Sequence, residues 1–338
     1  VNSTPALPKV SLLIAVRNEG KHLARTLESV CAQDCPLHWL DVLVLDGNSS
    51  DDTVAIAEGF ATRLPHLRVV NNPGLLSAAA WNLGLGLATA PLVSILSGHA
   101  LLPVDYFSFL LKEATPARAG VGAKAVPHGD DERSALIASA FSGLLGNGGA
   151  SFMASNRSGP VESIAFGCYW RHILQKAGGF DERIVRGQDW DLNLRLRAQG
   201  YELWYFPQRE IQYFTRSNFR ALWQRQYLAG KWKRYIHEKS RKPFLKRHLL
   251  PAFFVAGLGT SVLAALAWPP AGFIAACIVL THQAVSMWQF QKTGLPWRLA
   301  PSFWWAVWLI HTGYGAGMIT GFAVPIRQAS KNSVSTRQ

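Results

Sequence analysis

Residues 249–326 carry two charged side chains, Lys292 and Arg298, and no other feature of the chain limits its fold as strongly. Leu249–Trp268 is an apolar run of the length that crosses a bilayer as a helix. Pro269-Pro270 interrupts it, and Ala271–Phe290 is a second such run, so the two read as a helical hairpin. Phe303–Val324 is a third, opened by Trp304, Trp305 and Trp308 and holding His311, Gly313, Gly315, Gly317 and Gly321. Buried core helices of one large domain are the alternative, but three such segments in a row exceed core-helix length. The hairpin returns the chain near Lys292 and Arg298, as the positive-inside tendency requires. A third crossing would place Arg327, Lys331 and Arg337 on the far side and break that tendency; a re-entrant or interfacial third segment would keep it.

The basic charge is just as uneven. The chain carries a net +13, yet Arg216, Arg220, Arg225, Lys231, Lys233, Arg234, Lys239, Arg241, Lys242, Lys246 and Arg247 crowd the stretch before the first apolar run, opposed by Glu238 alone. No zinc or RNA-binding motif accompanies them, so the stretch reads as a juxtamembrane region drawn to an anionic leaflet rather than a nucleic-acid site. Cys31, Cys35, Cys168 and Cys277 form no CxxC pair and no Cys/His ligand set, which points away from structural zinc and toward a reduced compartment. No secretory signal is expected, because the first residues lack a basic segment followed by an apolar one.

Upstream, short apolar runs alternate with helical patterns. Strands are predicted at Val10–Val16, Leu40–Leu45, Leu67–Val70 and Pro91–Leu96, and helices at His22–Ser29, Val54–Phe60 and Leu76–Ala88. Such alternation gives an open α/β sheet with much parallel pairing, whose ligands bind at the carboxyl ends of the strands. The polar loops after Val16, Leu45 and Leu96 fall at those ends. Residues 129–163, rich in Gly, Ser and Asn, are expected to form a mobile loop over the site or a poorly ordered insertion. A strand at Ala165–Trp170, a helix at Arg171–Ala177, a strand at Glu202–Phe206 and a basic helical region at Asn218–His237 follow.

Residues 178–201 hold the chemistry. A Gly-Gly turn and an acidic loop lead to Asp189 at the mouth of a helix, with Leu192 and Leu196 on one face, Arg195 and Arg197 flanking them, and Gly200 as the stop. A carboxylate there either caps the helix or faces a pocket and takes a proton from an acceptor hydroxyl. Asp46 and Asp51 likewise read as a loop turn with a helix cap or as ligand-binding groups, and the two readings can coexist.

Four segments in order resemble family-2 glycosyltransferases, closest to the succinoglycan-biosynthesis (ExoA-like) type: Lys9 to Glu19, Asp46-Gly-Asn-Ser-Ser-Asp-Asp-Thr53, Asn82 with Gly84, and Gly-Gly-Phe-Asp-Glu182 with Gln188-Asp189. Phe166-Gly167-Cys168-Tyr169, Arg225-Gln226-Tyr227 and Tyr314-Gly315 support the subtype. The resemblance covers residues 8 to about 235 well and the tail more loosely. It implies a GT-A-type nucleotide-sugar-binding domain, an open mixed and mostly parallel sheet, over residues 1–235. A basic linker at 236–248, a membrane region at 249–326 with two or three transmembrane helical segments, and a basic tail at 327–338 complete the expected organisation.

The resemblance also implies roles. Asp189 is the expected general base of a single in-line displacement that inverts the anomeric carbon. Ala15, Asn18, Glu19, Asp46, Ser97 and His99 fall on the donor side, with Asp46 receiving the N–H of the nucleotide base. Gln188, Arg225, Gln226, Tyr227, Lys231 and Trp232 fall on the acceptor side or a closing loop. A divalent cation, Mg²⁺ or Mn²⁺, is the expected cofactor, held by oxygen ligands. The family's Asp-x-Asp position, however, reads Ser97-Gly98-His99, which leaves His99 as the one plausible metal ligand there. Gln188 stands where the family commonly has Glu, and the Gln-x-x-Arg-Trp motif of processive synthases is absent, which implies single-sugar addition. The expected enzyme is therefore an inverting hexosyltransferase of exopolysaccharide biosynthesis, taking a nucleotide sugar, UDP-glucose first among them, and a polyprenyl-diphosphate-linked acceptor. It would sit at the bacterial inner membrane with its catalytic domain cytoplasmic. A dinucleotide oxidoreductase lacks its glycine fingerprint here, and a Ser or Cys hydrolase its nucleophile elbow. A glycosidase with paired carboxylates stays open on sequence alone. The rival from another class is a catalytically impaired, glycosyltransferase-like membrane scaffold of a polysaccharide assembly complex.

Overall fold

Val10–Val16 (β1) is an unbroken apolar stretch apart from Ser11, and as a central strand buried on both faces it has no need of alternation. The computed structural model describes residues 9–148, 155–215, 218–241 and 244–321. β1 pairs in parallel with Leu40–Asp46 (β2) and Leu92–Ser97 (β4), and β2 pairs in parallel with Leu67–Asn71 (β3). Leu23–Cys31 (α1), Thr53–Gly59 (α2) and Ser77–Leu87 (α3) connect them. The sheet continues through Ala100–Leu101 (β5), Arg118–His128 (β6), Gly159–Pro160 (β7), Cys168–Trp170 (β8) and Glu202–Phe214 (β9), in the order β3-β2-β1-β4-β8-β6-β9-β5, with β7 on β9. β8 runs antiparallel to both β4 and β6, so the expected mixed, mostly parallel sheet is present.

The residues cluster into two compact units: 1–126 with 155–213, and 127–154 with 214–338. In the first, Leu13, Leu43, Leu45, Val93, Ile95, Tyr169, Leu192, Leu196 and Leu203 form the core. Each large apolar side chain buried there is worth roughly 1.5–3 kcal/mol. Gly84 of α3 belongs to this packing: a Cβ on it would lie 2.8 Å from the Leu13 and Leu45 side chains, so only glycine lets α3 approach the sheet this closely. Tyr106–Glu113 (α4) completes this part of the unit.

The second unit starts with two helices, Glu132–Ser142 (α5) and Leu144–Asn147 (α6), where a mobile loop was expected. The Asp131 carboxylate accepts the Ser134 N–H at 2.8 Å while the Ser134 hydroxyl accepts the Asp131 N–H at 3.0 Å, a capping box that starts α5. Of the rest of the expected loop, residues 149–154 lie outside the described residues and Gly159–Pro160 forms strand β7.

Two short helices of the first unit follow, Arg171–Lys176 (α7) and Gln188–Ala198 (α8). Phe219–Ser240 (α9) is the basic helix of the second unit. After it come Lys246–Ala264 (α10), Pro270–Phe290 (α11) and Ala300–Thr320 (α12).

Among the described residues, α10 and α11 are long and apolar enough to cross a membrane. Only 6% and 17% of their most apolar windows is buried, so they are not core helices. Leu250, Phe253, Leu263, Leu266, Phe273 and Leu280 all stand more than half exposed, a face that lipid suits and water does not. α12 differs. Phe303, Ala306, Val307 and Ile310 pack with Leu136 and Ile137 of α5, Leu222 of α9 and Phe290 of α11. Its glycines let backbones touch: a Cβ on Gly317 would lie 2.0 Å from the Tyr227 carbonyl oxygen of α9, and one on Gly315 2.2 Å from that of Pro251 in α10. Residues 322–324 of the expected third segment, and the basic tail, lie outside the described residues.

Candidate active site

The carboxyl ends of β1, β2 and β4 set the donor-side candidates in register. Val16 pairs with Asp46, and Ala15 pairs with Ser97. The two loops that follow β1 and β2 are laced together. The Asn18 N–H donates to the Ser49 hydroxyl at 2.9 Å, and the Asn18 side-chain oxygen accepts the Ser50 N–H at 2.8 Å. The Glu19 N–H donates to the Thr53 hydroxyl at 2.9 Å, and the Gly20 N–H to Asp51 at 3.0 Å. Asn18 and Asn48 hold left-handed backbone with φ of 53° and 56°, which asparagine tolerates better than most residues. Burial opposes ionisation of Asp51, yet hydrogen bonds from Thr53 and Gly20 keep its carboxyl below the ordinary value. Asp51 is thus a loop organiser. Asp46 is 6% exposed and its carboxylate accepts the Ser49 N–H at 3.1 Å and the Ser49 hydroxyl, which fixes its direction at the strand edge.

The loop after β4 is where a metal would be expected. The His99 Nδ1 lies 2.9 Å from Glu19 Oε1, so imidazole and carboxylate engage each other. The Ser97 hydroxyl oxygen is buried without a hydrogen-bond partner among the described residues. No group of three or more His, Cys, Asp or Glu side chains converges among those residues. One hydroxyl and one committed imidazole do not make the oxygen-rich set that Mg²⁺ or Mn²⁺ takes.

Asp189 lies in the first turn of α8, where its Oδ1 accepts the Trp190 N–H at 2.8 Å. The sequence reading did not foresee what holds this helix in place. Asn193 is fully buried; its side-chain oxygen accepts the Tyr169 hydroxyl at 3.0 Å, and its amide donates to Ser163 at 2.8 Å and to the Ile164 carbonyl at 3.0 Å. Arg195 bonds Asp191 at 2.8 Å and both the Ala177 and Gly179 carbonyls at 2.6 Å, which ties α8 to the Gly-Gly turn. Asn82 of α3 grips the same turn, accepting the Phe180 N–H at 2.8 Å and donating to Glu182 at 2.8 Å. Burial drives the Tyr169 phenol well above its ordinary value, and the nearby Asp189 charge adds to the rise. An asparagine inside a helix was the available signal, because that residue disfavours helix interiors unless its amide is bonded elsewhere. Gln188 turns its amide onto the Val185 carbonyl at 3.0 Å. Cys168, pushed up to about 12 by burial, is no nucleophile.

Arg225, Gln226, Tyr227, Lys231 and Trp232 belong to the second unit and lie on α9, the basic helix expected at Asn218–His237. Gln226 and Trp232 are buried, and the Tyr227 oxygen accepts the Thr320 hydroxyl at 2.9 Å. Packing on α12 accounts for Gln226 and Tyr227, and Trp232 meets the Tyr235 ring edge to face. The Arg225 guanidinium stands 5.4 Å from the Phe141 ring centre, a cation–π distance.

The chain is 27% identical over 298 residues to the succinoglycan biosynthesis protein ExoA of Rhizobium meliloti (strain 1021), spanning 84% of this chain and 83% of that one. It is 26% identical over 218 residues to the dolichyl N-acetyl-alpha-D-glucosaminyl phosphate 3-beta-D-2,3-diacetamido-2,3-dideoxy-beta-D-glucuronosyltransferase of Methanococcus voltae, spanning 62% of this chain and 68% of that one. Its fold is similar to that of mannosyltransferase PcManGT from Pyrobaculum calidifontis, with a TM-score of 0.59 at 20% identity over 95% of this chain and 90% of that one. The sheet and its helices are GT-A-like. Residues 11–176 match the model of glycosyl transferase family 2, so the chain carries a domain of that family.

Proposed function

We propose that the chain is an inverting glycosyltransferase that moves one hexose from a nucleotide sugar, UDP-glucose being the first to test, to a lipid-linked oligosaccharide in exopolysaccharide assembly. Its catalytic domain faces the cytoplasm at a bacterial inner membrane in this reading. The observation that carries it is the directed Asp46 carboxylate at the carboxyl edge of the parallel strands, in the same unit as an independently anchored Asp189. The names of the Rhizobium and Methanococcus relatives support a lipid-linked or polysaccharide product.

In this reaction Asp46 receives an N–H of the nucleotide base, and Asn18 and Glu19 form the wall of that pocket. Asp189 takes the proton of the acceptor hydroxyl as its oxygen bonds to the anomeric carbon. The bond from that carbon to the nucleotide diphosphate breaks on the opposite face, and the configuration inverts. The Pyrobaculum enzyme is known with GDP-Man and Mn²⁺. The Ser97-Gly98-His99 loop does not fit a tightly held cation of that kind, and no step here passes through one. Turnover with a weak cation requirement, impaired by His99→Ala, is expected.

The same loop favours a second reading, an impaired family member that serves as a membrane scaffold. A panel of nucleotide sugars, assayed for hydrolysis and transfer with Mg²⁺, with Mn²⁺ and with excess chelator, separates the two. Turnover of one donor supports the enzyme. No binding or turnover of any donor under any condition supports the scaffold.

A further inference from the structure

Glu19 and His99 meet between the loop after β1 and the loop after β4, and both loops are fixed. The Glu19 N–H donates to the Thr53 hydroxyl at 2.9 Å. The Gly98 N–H donates to the Ala15 carbonyl at 3.3 Å, and the Gly98 carbonyl accepts the Thr26 hydroxyl at 3.0 Å. A Cβ on Gly98 would lie 2.7 Å from Val16 Cγ1 and 3.2 Å from both Cβ and Cγ of Glu19, so only glycine lets the β4 loop rest on the Glu19 stem. His99 then meets the Glu19 carboxylate through Nδ1, at 2.9 Å. The carboxylate side is the better covered, with 14% of the Glu19 side chain exposed against 32% of His99.

This contact sets the polarity of the ring. A carboxylate only accepts hydrogen bonds, so Nδ1 carries the hydrogen, and in the neutral imidazole Nε2 presents a lone pair. His99 makes no other hydrogen bond among the described residues. A nitrogen of that kind accepts from a hydroxyl. It does not pair with a phosphate oxygen, which is itself an acceptor. Carboxylates also orient metal-ligating histidines in this way, but no third ligand converges here among the described residues. The strand order places the ring along the path of a donor. β1 lies between β2 and β4, so Asp46 at the end of β2 and the β4 loop stand two strand spacings apart, roughly 9.5 Å. A nucleotide sugar with its base at Asp46 has its ribose and its hexose, both rich in hydroxyls, to offer beyond the base pocket.

We propose that the Glu19–His99 dyad reads one hydroxyl of the nucleotide sugar, on its ribose or on the transferred hexose, and so sets donor specificity at a position where a cation was expected. His99 Nε2 accepts the hydroxyl. Glu19 is a positioning residue that acts through His99, by fixing its tautomer and the direction of its ring. This assignment deepens the glycosyltransferase reading and rests on it.

The test is calorimetry on the full chain in detergent, with excess chelator, at about pH 8, above the range in which imidazole ordinarily takes up a proton. The probes are uridine, UMP, UDP, UDP-glucose, UDP with 2′- or 3′-deoxyribose, and UDP-glucose analogues lacking one hexose hydroxyl each. Wild type should bind one deoxy probe about tenfold more weakly than its parent. His99→Ala and Glu19→Ala should both erase that preference and keep the others. Whether the probe concerned is a deoxyribose or a deoxyhexose identifies the source of the hydroxyl. A merely structural role for Glu19 would weaken parent and deoxy probes alike, leave the preference in Glu19→Ala, and overturn the dyad. Every preference retained in His99→Ala overturns the proposal. So does a loss in His99→Ala that first appears between UMP and UDP, which would make His99 a diphosphate ligand. A wild type that binds neither UDP nor UDP-glucose overturns the donor reading itself, and the proposal falls with it.

Discussion

Asp189 and Asp46 make separable contributions, and single substitutions should part them. Asp189→Asn keeps the side-chain oxygen that accepts the Trp190 N–H, so fold and donor binding should survive. Transfer should fall by roughly 10²–10⁴, the usual contribution of a general base. Wild-type turnover in that variant would reduce Asp189 to a helix-capping group. Asp46→Ala removes the carboxylate at the edge of β2 and should weaken UDP binding by about 1–3 kcal/mol, measured by calorimetry. Equal affinity would remove Asp46 from the base pocket. Asn193 and Arg195 touch neither partner in this scheme. They are positioning residues, because they fix α8 through Tyr169, Ser163 and the Gly-Gly turn.

At the scale of elements, one buried carboxylate joins three of them. Asp41 of β2 is 2% exposed and accepts from Ser11 of β1 at 2.8 Å, from Thr89 at 3.0 Å and from Arg68 of β3 at 2.8 Å. Burial opposes its charge, but these donors win and hold the carboxyl below its ordinary value. Asp41→Ala should cost roughly 1.5–3 kcal/mol near neutral pH, the range for hydrogen bonds to a charged group. Because the folded value is depressed, that stability is complete above the unfolded value of about 4 and fades as pH falls through the folded one. The gap between wild type and variant in denaturant melts should therefore narrow below about pH 4. A gap constant across that window would mean that Asp41 acts only as a packing group. The elements nearest Asp41 were legible in the sequence for a physical reason. Continuous apolar strands such as β1 and β2 announce themselves without alternation. β6 did not, because Gly120 and Gly122 interrupt its side-chain pattern where Tyr169 and Ile164 pack. α5 hid in a polar stretch, since its start is a capping box of Asp131 and Ser134 and its apolar residues face α12 rather than forming a long run. β9 runs past Pro207 to Phe214, beyond the strand expected at Glu202–Phe206. The candidate site was legible as residue types, but the tethers that orient Asp189 depend on contacts between distant segments.

For the whole molecule, the membrane arrangement follows from what α12 packs on. α9 carries Arg220, Arg225, Lys231, Lys233, Arg234 and Lys239, which exclude it from hydrocarbon, and α12 meets its backbone at Gly313 and Gly317. We propose a hairpin of α10 and α11 with α12 at the interface, an arrangement that keeps α9 out of hydrocarbon. A cysteine at position 333, outside the described residues, should then be labelled from the side that holds the catalytic domain; labelling only from the opposite side would establish three crossings. The second unit is also discontinuous, with α5 and α6 separated from partners on α11 and α12 by 149 and 166 residues. The Leu145 carbonyl waits for the His311 ring 166 residues later, and Ala140 for Gln289 149 residues later. At about 5–20 residues per second on the ribosome, the wait is roughly 10–30 s. During that time Leu136 and Ile137 lack the α12 side chains Phe303, Ala306, Val307 and Ile310 that complete their cluster. Slow synthesis therefore sets a window of vulnerability in this chain, open from the emergence of α5 until α12 arrives, in which proteases and holding chaperones compete for the same short stretch.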